Sequence, residues 1–313
     1  MSGRDRTARG LGIALLALLA ASPLLPDWAL FLATVSLAKG LVALGLLLLM
    51  RTGLVSFGQG LYFAAGAYAA GIAAERWGLR DAALLAGLGG LAAGLLAAVV
   101  GLLLARYRTI FFAMLSLAFS MILYGVLVKS AAFGSTDGFN LFARTLLGIP
   151  LGESKGYGQF ALTAALAFGA CVLLDRYLAS HLGRLAPAVR DNELRVEYMG
   201  ASVRNVVHLN LVVAAVLAGV GGALTALAVG HIDPGMAYWT TSGEFVFVAI
   251  LSGTGNVAAP FLGAILLEVL RTYAYEYAPN TWQLVMGGAM LLVILFLPSG
   301  LWSVFQRRRK ATT

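Results

Sequence analysis

Few side chains in the long apolar stretches of this chain are able to do chemistry. Six ionisable or amide groups in or beside these stretches stand out: Lys39, Gln59, Glu244, Asn256, Glu268 and Arg271. Because hydrocarbon solvates such groups poorly, each of them is a candidate functional group. Lys39 and Arg271 have a simpler interpretation, since a long side chain can carry its charge to a nearby polar interface. Glu244 lies near the start of an apolar stretch, where an exposed helix cap is an equal alternative.

Catalytic and metal-binding patterns are missing from the sequence. His181, His208 and His231 are scattered, and no HExxH motif, paired cysteines or carboxylate–histidine cluster accompanies them. There is no GxSxG nucleophile elbow and no phosphate-binding loop of the Walker type. The single cysteine, Cys171, excludes an intrachain disulfide. We predict that the chain is not an enzyme and binds no metal. If ATP powers it, the ATPase must be another chain.

Two glycine-rich segments interrupt the apolar pattern, the first at residues 53–60 and the second at residues 252–260. Glycine and proline interrupt helices, and the freed backbone groups are tolerated at membrane depth only where protein or a water-filled cavity satisfies them. Paired interruptions in a transporter point to its translocation path. The alternative is a pair of tight turns between closely packed helices. The residues predicted to line a path are Ser56, Gln59, Glu244, Ser252 and Asn256.

Residues 182–204 form a polar segment in an otherwise apolar chain. Pro187 at a first helical position and Gly200 just past the last turn predict one short helix of about 13 residues. Arg190 and Glu193, three residues apart, are expected to share a face of this helix. A helix this short is marginal alone in water, so we predict that it docks on a soluble partner. A solvated connecting loop is the alternative.

The composition is that of an integral membrane protein. Of the 313 residues, 60% are hydrophobic and 12% are charged, and the mean hydropathy is +0.87, whereas soluble domains carry about 25% charged residues. The net charge of +8 does not indicate nucleic acid, because the basic residues lie in short loops rather than on one soluble face. A span needs about 20 mainly apolar residues. We predict an all-α membrane protein with ten spans at 11–27, 30–50, 54–74, 82–105, 109–130, 157–178, 206–230, 241–252, 257–275 and 282–299.

Basic residues are distributed unequally between the two sides of this arrangement. With residues 1–10 in the cytoplasm, fifteen Lys and Arg residues fall on the cytoplasmic side and six on the other. The positive-inside rule then places both termini, the polar segment and the basic tail 300–313 in the cytoplasm. The stretch 11–27 also resembles a secretory signal peptide, but we predict that it is retained because further spans follow immediately. Residues 11–299 would then form one transmembrane domain.

Short motifs occur in a fixed order along nearly the whole chain. They are GLVSFGQG (53–60), AGAY (65–68), FFAMLSLA (111–118), TDG (136–138), AGVGGA (218–223), LSGTG (251–255) and LPSGL (297–301). The polar segment contributes Gly183, Arg184, Arg190, Asp191, Glu193 and Gly200. Together these motifs resemble the LivM-type permease of branched-chain amino-acid ABC importers. Ser252 and Ala259 depart from this pattern, because the family often has glycine there.

The resemblance implies a permease subunit of the bacterial inner membrane that works by alternating access. The implied partners are a LivH-type second permease, two ATPase subunits that bind ATP and Mg, and a periplasmic binding protein, with no cofactor on this chain. The polar segment would couple to the ATPase, while the loop 131–156 and residues 230–234 would face the binding protein. Cargo would be branched-chain amino acids, or else urea, amides or aromatic acids. From the residues alone, an ion-gradient carrier using Glu244 or Glu268 and a structural scaffold stay open.

Overall fold

The computed structural model of the chain describes residues 25–141, 145–146, 149–150, 156–296 and 300–303, together with Gly12, Leu15, Leu18 and Ser22. Its helices are α1 (Asp27–Arg51), α2 (Gln59–Trp77), α3 (Ala82–Leu104), α4 (Thr109–Lys129), α5 (Tyr157–Ala179), α6 (His181–Asp191), α7 (Glu193–Tyr198), α8 (Val203–Val229), α9 (Trp239–Ser252), α10 (Ala259–Tyr277) and α11 (Trp282–Phe296). Two short antiparallel pairs join β1 (Phe139–Asn140) to β4 (His231–Ile232) and β2 (Thr145–Leu146) to β3 (Ile149–Pro150).

The prediction of a helical membrane protein is confirmed in its coarse form. Among the described residues, α1, α3, α4, α5 and α8 are long and apolar enough to cross a membrane. The helices α9 and α11 have 14 and 15 described residues, so they are shorter than a typical span. Most of the predicted span 11–27, residues 297–299 of the predicted last span, and residues 304–313 of the tail lie outside the described residues. The count of ten spans therefore stays a prediction.

One predicted boundary is wrong for a clear reason. The third predicted span, 54–74, does not begin as a helix at residue 54, because α2 begins at Gln59. Gly53 has a φ of 83°, a left-handed conformation that glycine adopts at little cost. The chain therefore turns after α1, and residues 53–58 form a non-helical link between α1 and α2.

The helix α8 lies at the centre of the bundle and packs on α1, α2 and α3. Small residues let their backbones touch. A Cβ atom added at Gly222 would lie 1.9 Å from the Phe63 carbonyl oxygen, and one added at Gly219 would lie 2.4 Å from the Ala93 Cβ atom. The interpretation of these glycines as close-packing positions, the usual device of membrane helices, is therefore confirmed.

Burial separates the core helices from those that face outward. The helix α1 is apolar on all sides, and residues 41–49 are buried around its whole circumference, as expected of a core helix. By contrast, α3 and α4 expose one apolar face each, which fits a surface in contact with lipid. The exposed side chains of that surface are Leu84, Leu91, Leu95, Val99, Ile110, Phe111, Met114, Ile122 and Val126.

Candidate functional site

The structure brings the two glycine-rich segments together on one side of the bundle. Arg51, the last residue of α1, donates hydrogen bonds from Nε and Nη2 to the Thr254 carbonyl oxygen, at 3.2 and 2.8 Å. The two segments share a cavity of about 360 Å³, which we call the junction cavity. It is lined by Met50, Gly53, Val55, Ile250, Gly253, Thr254 and, from the polar segment, Arg190.

Three of the predicted path residues make local hydrogen bonds. Ser56 and Ser252 are fully buried, and each Oγ atom is hydrogen-bonded to a neighbouring backbone group, at 3.2 and 3.0 Å respectively. Asn256 Oδ1 accepts from the Ala258 N–H at 2.9 Å and so shapes the turn before α10. These bonds agree with the tight-turn alternative. A role of the three side chains in a path stays a prediction.

Gln59 occupies a different position from the other path candidates. It is the first residue of α2 and is fully buried, yet neither its Nε2 nor its Oε1 atom has a hydrogen-bond partner among the described residues. An unsatisfied buried polar group costs about 1–3 kcal/mol. Next to it, the Gly60 N–H donates to Ser242 Oγ at 2.9 Å, which joins the start of α2 to α9. Gln59 thus keeps both side-chain polar atoms free for a partner that the described residues do not supply.

Four charged side chains form a network among α1, α9 and α10, which we call the charge network (Lys39, Glu244, Glu268 and Arg271). Lys39 Nζ lies 2.5 Å from Glu268 Oε1, and Arg271 pairs with Glu244 and, at 3.5 Å, with Glu268. Both basic side chains are thus paired with carboxylates of this chain, and the interpretation that they reach a polar interface stays a prediction. The cap role for Glu244 is wrong, since α9 begins five residues earlier at Trp239.

Apart from the three-residue spacing of Glu268 and Arg271 on one helix, no local pattern in the sequence could have indicated the charge network. Lys39 and Glu268 are 229 positions apart, and they meet because α10 packs on α1. Gly40 permits this approach, since a Cβ atom there would lie 2.5 Å from the ring of Phe261. The Arg271 guanidinium also lies over the ring of Trp282, 6.0 Å from its centroid, so α11 contacts the network too.

One face of α9 leads from the charge network to the junction cavity. We call it the α9 face, and its members are exposed or half-buried and recur every three or four residues: Thr240, Gly243, Glu244, Phe247 and Ile250. Phe247 is 44% exposed and Ile250 is 39% exposed, and Ile250 also lines the cavity. The face therefore carries one acidic group, then an apolar surface, then the cavity.

The polar segment contains two helices rather than the one predicted. The helix α6 begins at His181, because Ser180 caps it by accepting from a backbone N–H at 3.2 Å, and Pro187 lies inside the helix instead of at its start. Asn192 is extended and ends α6. Its Oδ1 atom accepts the N–H of the residue three positions later, at 3.0 Å, and so begins α7. The prediction of a single helix framed by Pro187 and Gly200 is wrong because Asn192 acts as a second cap.

The break at Asn192 also separates two residues that were expected to share a face. Arg190 lies at the end of α6 beside the junction cavity, whereas Glu193 begins α7. Glu193 Oε1 accepts from Arg108 Nε at 2.7 Å, in the link between α3 and α4. The shared-face expectation is therefore wrong. Gly200 does follow the last helical turn of the segment as predicted, with a φ of 84° just after α7.

The polar segment has an inner surface that packs on the bundle and an outer surface of mixed character. The buried members are Gly183, Ala186, Val189 and Val196. Of the predicted coupling residues, Gly183 is thus a packing position, while Arg184, Arg190, Asp191 and Gly200 are exposed. Large apolar side chains share the exposed surface: Leu182, Leu194, Tyr198 and Met199. Their exposed fractions are 49, 65, 89 and 64% in that order, which is more than folding of this chain alone requires.

These features define a class of protein: a helical membrane protein with several spans, a cavity between two interrupted helices, and a polar segment beside that cavity. A family model described as "Branched-chain amino acid transport system / permease component" matches residues 28–295. The chain belongs to this family. The predicted resemblance is therefore confirmed, and the protein is a permease component, in agreement with the prediction that it is not an enzyme.

Curated relatives agree with this membership. The chain is 26% identical over 298 residues to the high-affinity branched-chain amino acid transport system permease protein LivM of Escherichia coli. This match covers 86% of this chain and 69% of the relative. LivM of Salmonella typhimurium is 26% identical over 296 residues, with the same coverage. The permease protein BraD of Pseudomonas aeruginosa is 29% identical over 143 residues, 45% of each chain. No solved structure matches this chain.

Proposed function

We propose that this chain is one membrane-spanning subunit of an ATP-driven importer of branched-chain or related amino acids. The observation that carries the proposal is the junction cavity. It joins both interrupted segments to the polar segment, and the α9 face leads into it. A force on the polar segment would reach the interrupted segments directly, because a Cβ atom at Gly53 would lie 3.1 Å from Arg190 Cγ. Such a contact can couple the movement of a soluble partner to alternating access.

The proposed assembly supplies what this chain lacks. ATP and Mg would be bound by two ATPase subunits, and this chain would hold no cofactor. A LivH-type second permease would cover the α9 face, so that the path runs between the two permeases. A periplasmic binding protein would dock at the other end, where the pairing of β1 with β4 joins the loop 131–156 to residues 230–234. Residues 142–144, 147–148 and 151–155 of that loop lie outside the described residues.

Reconstitution tests the function itself. Proteoliposomes that contain this chain, the second permease, the ATPases and the binding protein should take up leucine when ATP is inside, and ionophores should leave the rate unchanged. Uptake that needs an ion gradient and ignores ATP would instead support a secondary carrier. Competition by urea, amides or aromatic acids in the same vesicles would identify the cargo class.

The proposed topology has ten spans in the inner membrane with both termini and the polar segment in the cytoplasm. A cysteine at position 197, which is exposed on α7, should resist an impermeant thiol reagent applied to intact cells. The matched control is a cysteine at position 276, exposed near the end of α10, which should react. Both variants need the Cys171→Ser background. Labelling at 197 with protection at 276 would mean that the orientation is the reverse of the one proposed.

Docking of the ATPase is best tested at Tyr198. Exchanging the charges of Arg190 and Glu193 is a less specific test, because it would break the ion pair between Glu193 and Arg108 inside this chain. Tyr198 is 89% exposed, so Tyr198→Ala should leave the fold of this chain intact. Because aromatic side chains dominate interface energies at about 2 kcal/mol or more, ATPase affinity should fall about thirtyfold. Tyr277→Ala, at a residue that is 78% exposed, is the control. Equal ATPase co-purification with both variants would leave the polar segment a connector.

A further inference from the structure

The charge network is more elaborate than packing requires. Its four charges sum to zero, and its members come from three helices that the proposed topology places in the membrane. Replacing a buried ion pair by apolar residues is often neutral or even stabilising, so stability alone does not explain two such pairs. Ionisable residues at membrane depth that line a solute path usually serve the solute.

The network has a closed half and an accessible half. Lys39 and Glu268 lie 2.5 Å apart, and their side chains are 13% and 10% exposed. Arg271 and Glu244 are 21% and 24% exposed, and the second contact of Arg271, to Glu268, is long at 3.5 Å. The inner pair therefore compensates itself, and the Glu244–Arg271 pair is the half that a solute can reach.

Space and apolar surface adjoin the accessible pair. Gly243 precedes Glu244, and a Cβ atom added at Gly243 would meet no atom of another element within 4 Å, so the α9 face is open next to Glu244. Phe247 lies one turn further along the α9 face, and Ile250 follows at the mouth of the junction cavity. A molecule with a charged head and a short aliphatic body would find a complementary group for each part within two helical turns.

We infer that Glu244 and Arg271 bind the charged head of a zwitterionic α-amino acid. The ammonium group contacts the Glu244 carboxylate, the carboxylate contacts the Arg271 guanidinium, and the side chain lies over Phe247 and Ile250. A zwitterion exchanges one internal ion pair for two intermolecular ones, so no charge is left uncompensated. A simple cation or anion would strand one protein charge, which costs several kcal/mol at a partly buried site. A guanidinium also offers the two parallel donors that a carboxylate prefers.

This inference rests on the proposed function and names the side chains that contact the cargo. Its test uses the reconstituted complex with leucine-loaded binding protein, and it compares leucine uptake with ATPase stimulation by that binding protein. The informative variant is Glu244→Gln with Arg271→Gln. It removes the accessible pair, strands no charge and leaves Lys39 with Glu268. We expect uptake per complex to fall at least tenfold while stimulated ATPase activity stays within about twofold of wild type.

Controls separate this result from other causes. Glu276→Gln neutralises an exposed carboxylate on α10, the helix that carries Arg271, and should leave uptake unchanged. Glu244→Asp keeps the charge and should retain more uptake than Glu244→Gln. Unchanged uptake in the double variant, or a parallel loss of uptake and stimulated ATPase activity, would overturn the inference and leave the network a structural element. A wild-type complex without ATP-driven leucine uptake would instead refute the proposed function.

Discussion

Gly222→Ala should force apart two helices whose backbones touch. A Cβ atom at this position would lie 1.9 Å from the Phe63 carbonyl oxygen, whereas carbon and oxygen atoms approach to about 3.3 Å in the closest favourable contacts. The helices α2 and α8 would therefore have to separate by about 1.4 Å at this point. The backbone of α8 fixes the position of the Cβ atom, and the oxygen it meets belongs to the backbone of α2, so no side-chain rotation can relieve the contact. Overpacking of this kind costs about 1–3 kcal/mol.

A matched control isolates that steric cost. Gly87 on α3 is exposed, and a Cβ atom there would meet no other atom within 4 Å. Both substitutions gain about 0.5–1 kcal/mol because alanine favours the helix over glycine. This gain cancels when Gly222→Ala is compared with Gly87→Ala, and the steric term of about 1–3 kcal/mol remains.

The assay is thermal unfolding of the purified chain in detergent, followed by tryptophan fluorescence. At about 2–4 °C per kcal/mol, Gly222→Ala should unfold several degrees below Gly87→Ala. Equal midpoints for the two variants would refute the reasoning, because they would show that α2 and α8 are not in backbone contact at this position.

Three further predictions address the site. Gln59→Leu removes a buried amide without partners, so it should leave stability equal or higher while reducing leucine uptake in proteoliposomes; wild-type uptake would leave Gln59 no role in the path. Asn192→Ala removes the cap of α7, worth about 1 kcal/mol, and should speed amide exchange across residues 193–198 about fivefold, with Asn192→Asp as the control that keeps the cap. Lys39→Met leaves Glu268 with only its long 3.5 Å contact to Arg271 and should lower the unfolding midpoint more than Lys39→Met with Glu268→Met; the opposite order would mean that the Arg271 contact alone compensates Glu268.

Composition and local spacing determined the coarse architecture. A chain with 60% hydrophobic residues and apolar runs of span length has one stable solution at membrane depth, which is a helix that satisfies its own backbone. The close-packing glycines of α8 could also be recognised from the sequence, because a residue without a side chain lets two helices approach closely whichever helix it meets. The order of short motifs was also sufficient to identify the family, which the match over residues 28–295 confirms.

Boundaries inside the polar segment were harder to predict, because three signals for a helix start lie close together. Ser180 and Asn192 are both good N-cap residues, and Pro187 is compatible with a helix start. The structure begins the first helix after Ser180. Gly183 permits this start, because the backbone there lies so close to the end of α5 that an added Cβ atom would be 2.1 Å from the Tyr177 carbonyl oxygen. Packing on the bundle therefore decided between local signals of similar strength.

Contacts between distant parts of the chain were decided by tertiary structure alone. Lys39 and Glu268 are 229 positions apart, and Arg108 and Glu193 are 85 apart, so neither pair leaves a local pattern. The sequence indicated Lys39 and Glu268 only as separate candidate groups, because a single charge in an apolar run carries no information about its partner. The junction cavity has the same origin, since it exists only where the ends of α1 and α9 meet the end of α6. Sequence specifies which groups must be satisfied at membrane depth, and helix packing decides which of them satisfy each other.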